Sequence, residues 1–389
     1  MSTPEPQGPL TGTKVLDLTR ILAGPLCAQM LGDMGAEVIK VEPPGSGDDT
    51  RSWGPPFAGT ESAYFLGINR NKRSITLNMA AKPGQEILAR LIQQCDVLVE
   101  NFKAGTLEKW GFTNDWLKQN APRVIRCSIT GYGTDGPKGG LPGYDFILQA
   151  ESGLMSITGE TGGDPMKYGV AIVDITTGLL ACNTILAALN ARHSTGRGQH
   201  VEVSLYESGL FMLANVASNH LVSGRDARRF GNGHPNIVPY QVFNVADGYI
   251  IIATGNDSQY QKLCGVLGAP EMAKDPAYID NKSRLANRAE LIGKLTALTM
   301  KFKMQDLADK LEEVGVPAGP INNLDQVFDD PHVKHRRMKL DIPNAFAKAG
   351  SIPGIRTPIV VDGQPMAAEH SAPRLGEHTA EILKEIGEG

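Results

Sequence analysis

Lys14-Val-Leu-Asp-Leu18, residues 25–34 and Glu37-Val-Ile-Lys-Val41 are the stretches that decide the fold. The first and third are short apolar runs of strand type. Between them, Leu26, Met30 and Met34 recur every four residues and share one helical face. Strand, helix and strand in immediate succession make a βαβ unit, whose two strands must lie parallel because the helix carries the chain back.

The alternation continues outward. Residues 74–77 read as a strand, and residues 83–94 as a helix with Pro83 in its first turn, where proline is tolerated. Residues 96–99 and 123–128 read as further strands. The expected class is α/β, with an open sheet. Ligands of such sheets bind beyond the carboxyl ends of the strands, here residues 19–24, 42–47, 100–103 and 130–133. Residues 175–192 form a long helix that is apolar almost all round, a pattern suited to a core or a subunit interface. Residues 199–204 are a strand and residues 205–221 another helix.

From residue 225 to 239 the texture turns polar, and a linker is expected. Ala246-Asp247-Gly248 then joins two β-patterned runs as a hairpin, followed by helical stretches at 257–267, 288–301 and 304–314. The domain expectation is a large domain over residues 1–224, with linker character from about 205. A small α+β domain follows over 225–330, and residues 331–389 return to the large domain. The chain beyond Asp341 reads as loop-rich, ending in a helix at 376–386 that packs back on the large domain.

Composition narrows the function classes. The chain has 389 residues, 41% apolar and 21% charged, with a net charge of −4, which does not suit a nucleic-acid binder. Its five cysteines form no CxxC pair, so a reduced, cytoplasmic chain without a zinc cluster is expected. Residues 1–10 are polar and proline-rich, without the basic start and apolar centre of a signal peptide. No apolar run reads as reaching the ~20 residues that span a bilayer. GxGxxG after the first strand, GxxxxGK[ST], GxSxG and HExxH are all missing, which disfavours nicotinamide, P-loop, serine-hydrolase and zincin chemistry.

Candidate site residues each carry two readings. Asp174, in Gly169-Val-Ala-Ile-Val-Asp-Ile-Thr-Thr-Gly178, is either the N-cap of the long helix or an ionised nucleophile at its positive end. Gly131-Tyr-Gly-Thr-Asp-Gly-Pro137 is a surface turn or a close backbone approach to a ligand. Tyr144 and Asp145 line a site or begin a helix, with Asp145 as its cap. Asn69-Arg-Asn-Lys-Arg73 is a solvated loop or a phosphate clamp. Gly231-Asn-Gly-His-Pro-Asn236 is a connector or a lid, with His234 as an acid, base or donor.

Taken together, these segments resemble the class III CoA-transferases, the formyl-CoA and carnitine-CoA transferase family. The resemblance rests on residues 10–19, Ala23-Gly-Pro25, residues 35–42, Asn71-Lys-Arg-Ser74, Val99-Glu-Asn-Phe102, Gly131-Tyr-Gly133, the Asp174 segment, residues 195–199 and 231–235, and Leu375-Gly-Glu-His-Thr379. It covers nearly the whole chain. It implies a large Rossmann-like domain with a smaller α+β domain in an interlocked homodimer, with Asp174 as the acyl carrier through an aspartyl mixed anhydride and an aspartyl-CoA thioester. It also implies acyl-CoA as substrate, with no metal and no permanently bound cofactor. By the same carry-over, CoA lies near Ile21, Leu22, Ala23, Leu77, Asn78, Ala80, Asn101, Phe102, Lys103, Lys109, Tyr144 and Asp145. Gly231, Asn232, Gly233 and His234 cover the intermediates.

Pro43 stands where formyl-CoA transferases carry an arginine, so the adenine contacts differ, and Gly-Asn-Gly-His-Pro in place of that group's more glycine-rich lid disfavours oxalate and formyl-CoA. The stretches 233–240 and 315–323 look most like members that use succinyl-CoA and a dicarboxylate, whose second carboxylate would meet His234, Arg70 or Arg73. An α-methylacyl-CoA racemase is the second reading, but Tyr144 stands where that group carries its histidine. A non-catalytic CoA-binding protein is the third.

Overall fold

The computed structural model describes residues 8–367 and 370–388, so residues 1–7 of the polar opening lie outside the described residues. The chain divides into two units. One holds the residues up to Met155, Lys167–Ser223 and Pro331 onward; the other holds Ser156–Met166 and Gly224–Asp330.

The first unit is built on six strands: β1 (Lys14–Asp17), β2 (Glu37–Glu42), β3 (Lys72–Thr76), β4 (Val97–Glu100), β5 (Ile125–Thr130) and β6 (His200–Ser204). Their order is β3-β2-β1-β4-β5-β6, and every pairing is parallel. This is the Rossmann-like order, in which the chain reverses direction between β1 and β4.

Pleating sends successive side chains to opposite faces. Val15, Val97 and Val99 face α1 (Ala23–Asp33) and a long later helix, whereas Leu16 and Leu98 face α2 (Lys82–Gln94). Ile382 of the C-terminal helix Thr379–Glu385 joins the α2 face, as the docking expectation requires.

The long helix runs over Ile172–Thr195, three residues longer at each end than its apolar pattern. It is preceded by α3 (Asp145–Glu151) and is labelled α4. By length and composition it is apolar enough to cross a membrane, which corrects the sequence expectation. Its residues Ala181, Cys182, Ile185 and Ala188 are buried in the core that also holds α1.

The expected helix over 205–221 is broken into α5 (Leu205–Phe211) and α6 (Ala214–Ser223), with Ala214 at φ +45°. A left-handed residue cannot continue an α-helix. The stretch beyond Asp341 is also more ordered than expected. Lys339–Pro343 pairs with Ser351–Ile355, and Val360–Val361 pairs with Gln364–Pro365. Two-stranded ladders leave half their amides unpaired, so Pro343, Pro353 and Pro365 cost little there.

The second unit holds a three-stranded antiparallel sheet: Tyr240–Val245, Gly248–Ala253 and Ala318–Pro320. Its core joins Phe243, Ile250 and Ile252 to Leu263, Leu291 and Leu307 of the helices Asp257–Val266, Arg288–Thr299 and Met304–Glu313. Residues 225–239, read as a linker, belong to this unit, and Val238 is buried in its core.

Candidate active site

The reversal between β1 and β4 opens a crevice at the carboxyl ends of those strands. A cavity of about 390 Å³ lies there. It is lined by Arg20–Ala23 after β1, Asp49, Asn101–Ala104 after β4, Thr130 and Gly131 at the end of β5, Gly140–Asp145, Asp174 and Leu205. Of the residues expected to hold CoA, Ile21, Leu22, Ala23, Asn101, Phe102, Lys103, Tyr144 and Asp145 line this cavity together with Asp174. Leu77, Asn78, Ala80 and Lys109 do not: Leu77 is buried behind β3, Asn78 and Ala80 are exposed beside α2, and Lys109 ends the short helix Thr106–Lys109.

The loop after β1 is held from below by buried charges. Lys40 Nζ donates to Thr19 O at 2.8 Å and pairs with Asp48 at 3.0 Å. Lys72 Nζ donates to Pro25 O at 2.9 Å and to Asp17 at 2.8 Å. Asp17 in turn accepts the Thr19 amide at 2.9 Å. Burial alone would raise the Asp17 pKa, but the Lys72 and Lys40 ammonium groups hold it down at about 2.

From above, Asn101 clamps the Arg20 peptide on both sides, accepting from its N–H at 3.0 Å and donating to its carbonyl at 2.8 Å. Between these fixings Ile21 sits at φ +73°, a conformation a β-branched residue adopts only when its surroundings enforce it. Arg20 reaches Asp49 at 3.3 Å, with both side chains about half exposed. Sequence reasoning missed Arg20 and Asp49. The available signal was a lone cation at the end of a central strand.

Two glycine contacts shape the rest. A Cβ on Gly131 would lie 2.4 Å from Gly143 N, so the segments before Asp145 and after β5 touch backbone to backbone. The glycine-dense 131–137 segment therefore begins against the Gly143 backbone at the cavity wall, while residues 134–137 are exposed. A Cβ on Gly178 would lie 2.6 Å from Ala23 O. The second turn of α4 is therefore packed against Ala23 at the end of the β1 loop, which brings Asp174 to the cavity.

Asp174 is not the N-cap that its position suggested. The helix begins at Ile172, Ala171 occupies the cap position without a side-chain bond, and Asp174 is the third helical residue. Asp145 is not the cap of its own helix either, since Tyr144 holds that position. Asp174 is half-buried, and burial, followed by the nearby Asp145 carboxylate, pushes its pKa up to about 7.

The basic run 69–73 is neither a solvated loop nor a phosphate clamp. Arg70 is buried against Asp33 at 2.5 Å, and Arg73 pairs with Glu37 at 2.7 Å and Glu385 at 2.8 Å. Both cations are already committed and do not suit the role of acceptor anchors. Gly231, Asn232, Gly233 and His234 belong to the second unit. There the Gly231 amide donates to Gly159 O at 3.2 Å and the His234 amide to Tyr240 O at 2.9 Å. The His234 ring accepts from the Asn236 amide at 3.0 Å, and burial, then Arg288, holds its pKa below the usual histidine range.

Comparison with known proteins gives a consistent picture. The profile of CoA-transferase family III matches residues 10–379. The chain is 45% identical over 390 residues to the succinate–glutarate CoA-transferase of Agrobacterium fabrum, covering 98% of this chain and 97% of that protein. It is 44% identical over 383 residues to the succinyl-CoA:glutarate CoA-transferase of Homo sapiens, covering 97% of this chain and 86% of that one. Among solved structures, a CAIB/BAIF family protein from Brucella suis superposes with a TM-score of 0.85 at 47% identity, covering 98% of this chain and 100% of that one.

Proposed function

Because this chain belongs to CoA-transferase family III, we propose that it moves CoA from succinyl-CoA to a dicarboxylic acid such as glutarate, with Asp174 carrying the acyl group. The observation that carries this reading is the position of Asp174: a half-buried carboxylate on the wall of the switch-point cavity, beside the strand-end loops.

The steps balance without redox change. A carboxylate oxygen of Asp174 attacks the succinyl-CoA carbonyl, the C–S bond breaks, and CoA leaves as thiolate. The thiolate attacks the Asp174 carbonyl of the mixed anhydride and releases succinate, leaving an aspartyl-CoA thioester. The acceptor carboxylate attacks that thioester and again frees the thiolate. The thiolate then attacks the acceptor carbonyl, and the new acyl-CoA departs with Asp174 restored. Anhydride and thioester are both activated acyl groups, so each exchange is near balance and no external energy source enters. Arg20 and Lys103 line the cavity as cations, suited to an anionic CoA and to the second carboxylate of the acceptor.

Wild-type enzyme given succinyl-CoA and glutarate is expected to yield glutaryl-CoA by mass spectrometry, and hydroxylamine is expected to stop turnover by capturing the aspartyl thioester. Formation of no new acyl-CoA from any dicarboxylate in a panel would contradict the reading. The pH dependence follows from the raised Asp174 pKa. Attack needs the ionised form, so kcat/KM for succinyl-CoA should be flat above about pH 7 and fall about tenfold per unit below it.

An interlocked homodimer is part of the proposal. Leu210, Phe211, Leu221 and Val222 on α5 and α6 are exposed, and α6 buries none of its residues. Such an apolar face is unusual on a monomer and suits a subunit interface. A Leu221→Asp/Val222→Asp variant should sediment as a smaller species than wild type; an unchanged sedimentation coefficient would place the contact elsewhere. The five free thiols suit a cytoplasmic setting.

A further inference from the structure

Asp145 is a cavity residue that bonds both the start of α4 and its own helix. Its Oδ1 accepts the amide N–H of Val173 at 2.8 Å and of Asp174 at 3.2 Å, the second and third residues of α4. Its Oδ2 accepts from Gln149 Nε2 at 2.6 Å. Gln149 is buried, and its Oε1 accepts the Tyr168 amide at 2.8 Å. One carboxylate and one buried amide thus brace the backbone from Tyr168 to Asp174.

A helix leaves its first amides unpaired, and they form its positive end. Here those amides bind Asp145, which leaves the Asp174 carboxylate uncommitted. We propose that Asp145 is the positioning residue of the nucleophile: it fixes the backbone that carries Asp174 and sets a like charge near the Asp174 carboxylate. The inference rests on the role given to Asp174 above. A more basic carboxylate is a stronger nucleophile toward a thioester, provided enough of it remains ionised at neutral pH.

Other titratable groups face the pair. Tyr64, on the short helix Ala63–Ile68, is pushed up to about 12 by burial and then by Asp174, Asp145 and Asp48. Arg20, Asp49, Lys103 and Tyr144 share the cavity wall. For Asp174 itself, Asp145 is the charged group that adds to burial.

The test compares Asp145→Asn with Asp145→Ala. The asparagine variant keeps an oxygen for the two amides but removes the charge. Its pH midpoint for kcat/KM of succinyl-CoA should drop by about one unit, with a lower plateau. The alanine variant also loses the brace, and its plateau should fall about 100-fold or more. A second readout does not depend on transfer activity. The pH dependence of the melting-temperature gain from Asp174→Asn is measured in the wild-type and Asp145→Asn backgrounds, and the midpoint of that gain should shift down in the second. Unchanged midpoints in the readouts would overturn the proposal. A shifted stability midpoint in a protein that transfers no CoA would instead uphold the pairing of Asp145 with Asp174 and refute the transfer reading.

Discussion

Replacing Asp174 with asparagine should abolish CoA transfer and make the protein more stable. Asparagine has nearly the same shape, but its amide oxygen cannot displace a thiolate, so transfer should fall by about 10^4-fold or more. The stability gain comes from the raised pKa, from an ordinary 3.8 to about 7. The folded protein holds that proton more tightly than the unfolded chain. The carboxyl therefore costs the fold nothing below about pH 4, costs progressively more as pH rises toward 7, and levels off above it, at on the order of 2–4 kcal/mol for a half-buried group. The variant should gain a few degrees in melting temperature at pH 8 and progressively less toward acid. A variant that transfers CoA, or one that is less stable than wild type at pH 8, would contradict this account. Such a trade of stability for reactivity is ordinary at sites built to do chemistry.

Removing Asp17 should have the largest effect on the fold. Asp17 is fully buried, as are Lys40 and Lys72, and its carboxylate lies 2.8 Å from Lys72 and 3.9 Å from Lys40. Asp17→Ala leaves two buried ammonium groups short of a counter-charge, which costs about 3–5 kcal/mol. Lys72 is already held down at about 8 by burial against the pull of Asp17, and without Asp17 it should lose its proton near neutral pH. The depressed pKa of Asp17 gives stability that is complete above about pH 4 and is lost as pH falls through about 2. Because Asp17 and Lys72 grip Thr19 and Pro25, KM for succinyl-CoA should rise as well. Urea unfolding measures the first effect, and a loss under about 1 kcal/mol would show that the network relaxes without Asp17. Adding Lys72→Met to Asp17→Ala should restore part of the stability.

Much of this architecture is written in local sequence. The strands and helices of the parallel sheet were legible because their apolar periods are strong, and the strand-end rule pointed to Ile21–Ala23 and Asn101–Lys103 before any contact was known. The remainder depends on partners that local pattern does not encode. Asp174 looked like a cap because the true partner of those amides, Asp145, lies 29 residues earlier. Arg70 and Arg73 looked like solvent or phosphate groups because Asp33 and Glu37 reach them from α1 and β2. The break between α5 and α6 left no proline or glycine as a signal, since Ala214 adopts the left-handed conformation instead.

The central claim is that the Asp174 carboxylate becomes covalently acylated, and oxygen labelling tests it most directly. In the proposed cycle the acceptor carboxylate attacks the aspartyl thioester, so one acceptor oxygen stays on Asp174 when the new acyl-CoA departs. The measurement is the mass of the Asp174-bearing peptide after turnover with succinyl-CoA and glutarate labelled with 18O in its carboxylates. The account predicts 18O in the Asp174 side chain of wild-type enzyme, appearing only when both substrates are present. An unlabelled peptide after many turnovers would mean that the acyl group passes between substrates without Asp174.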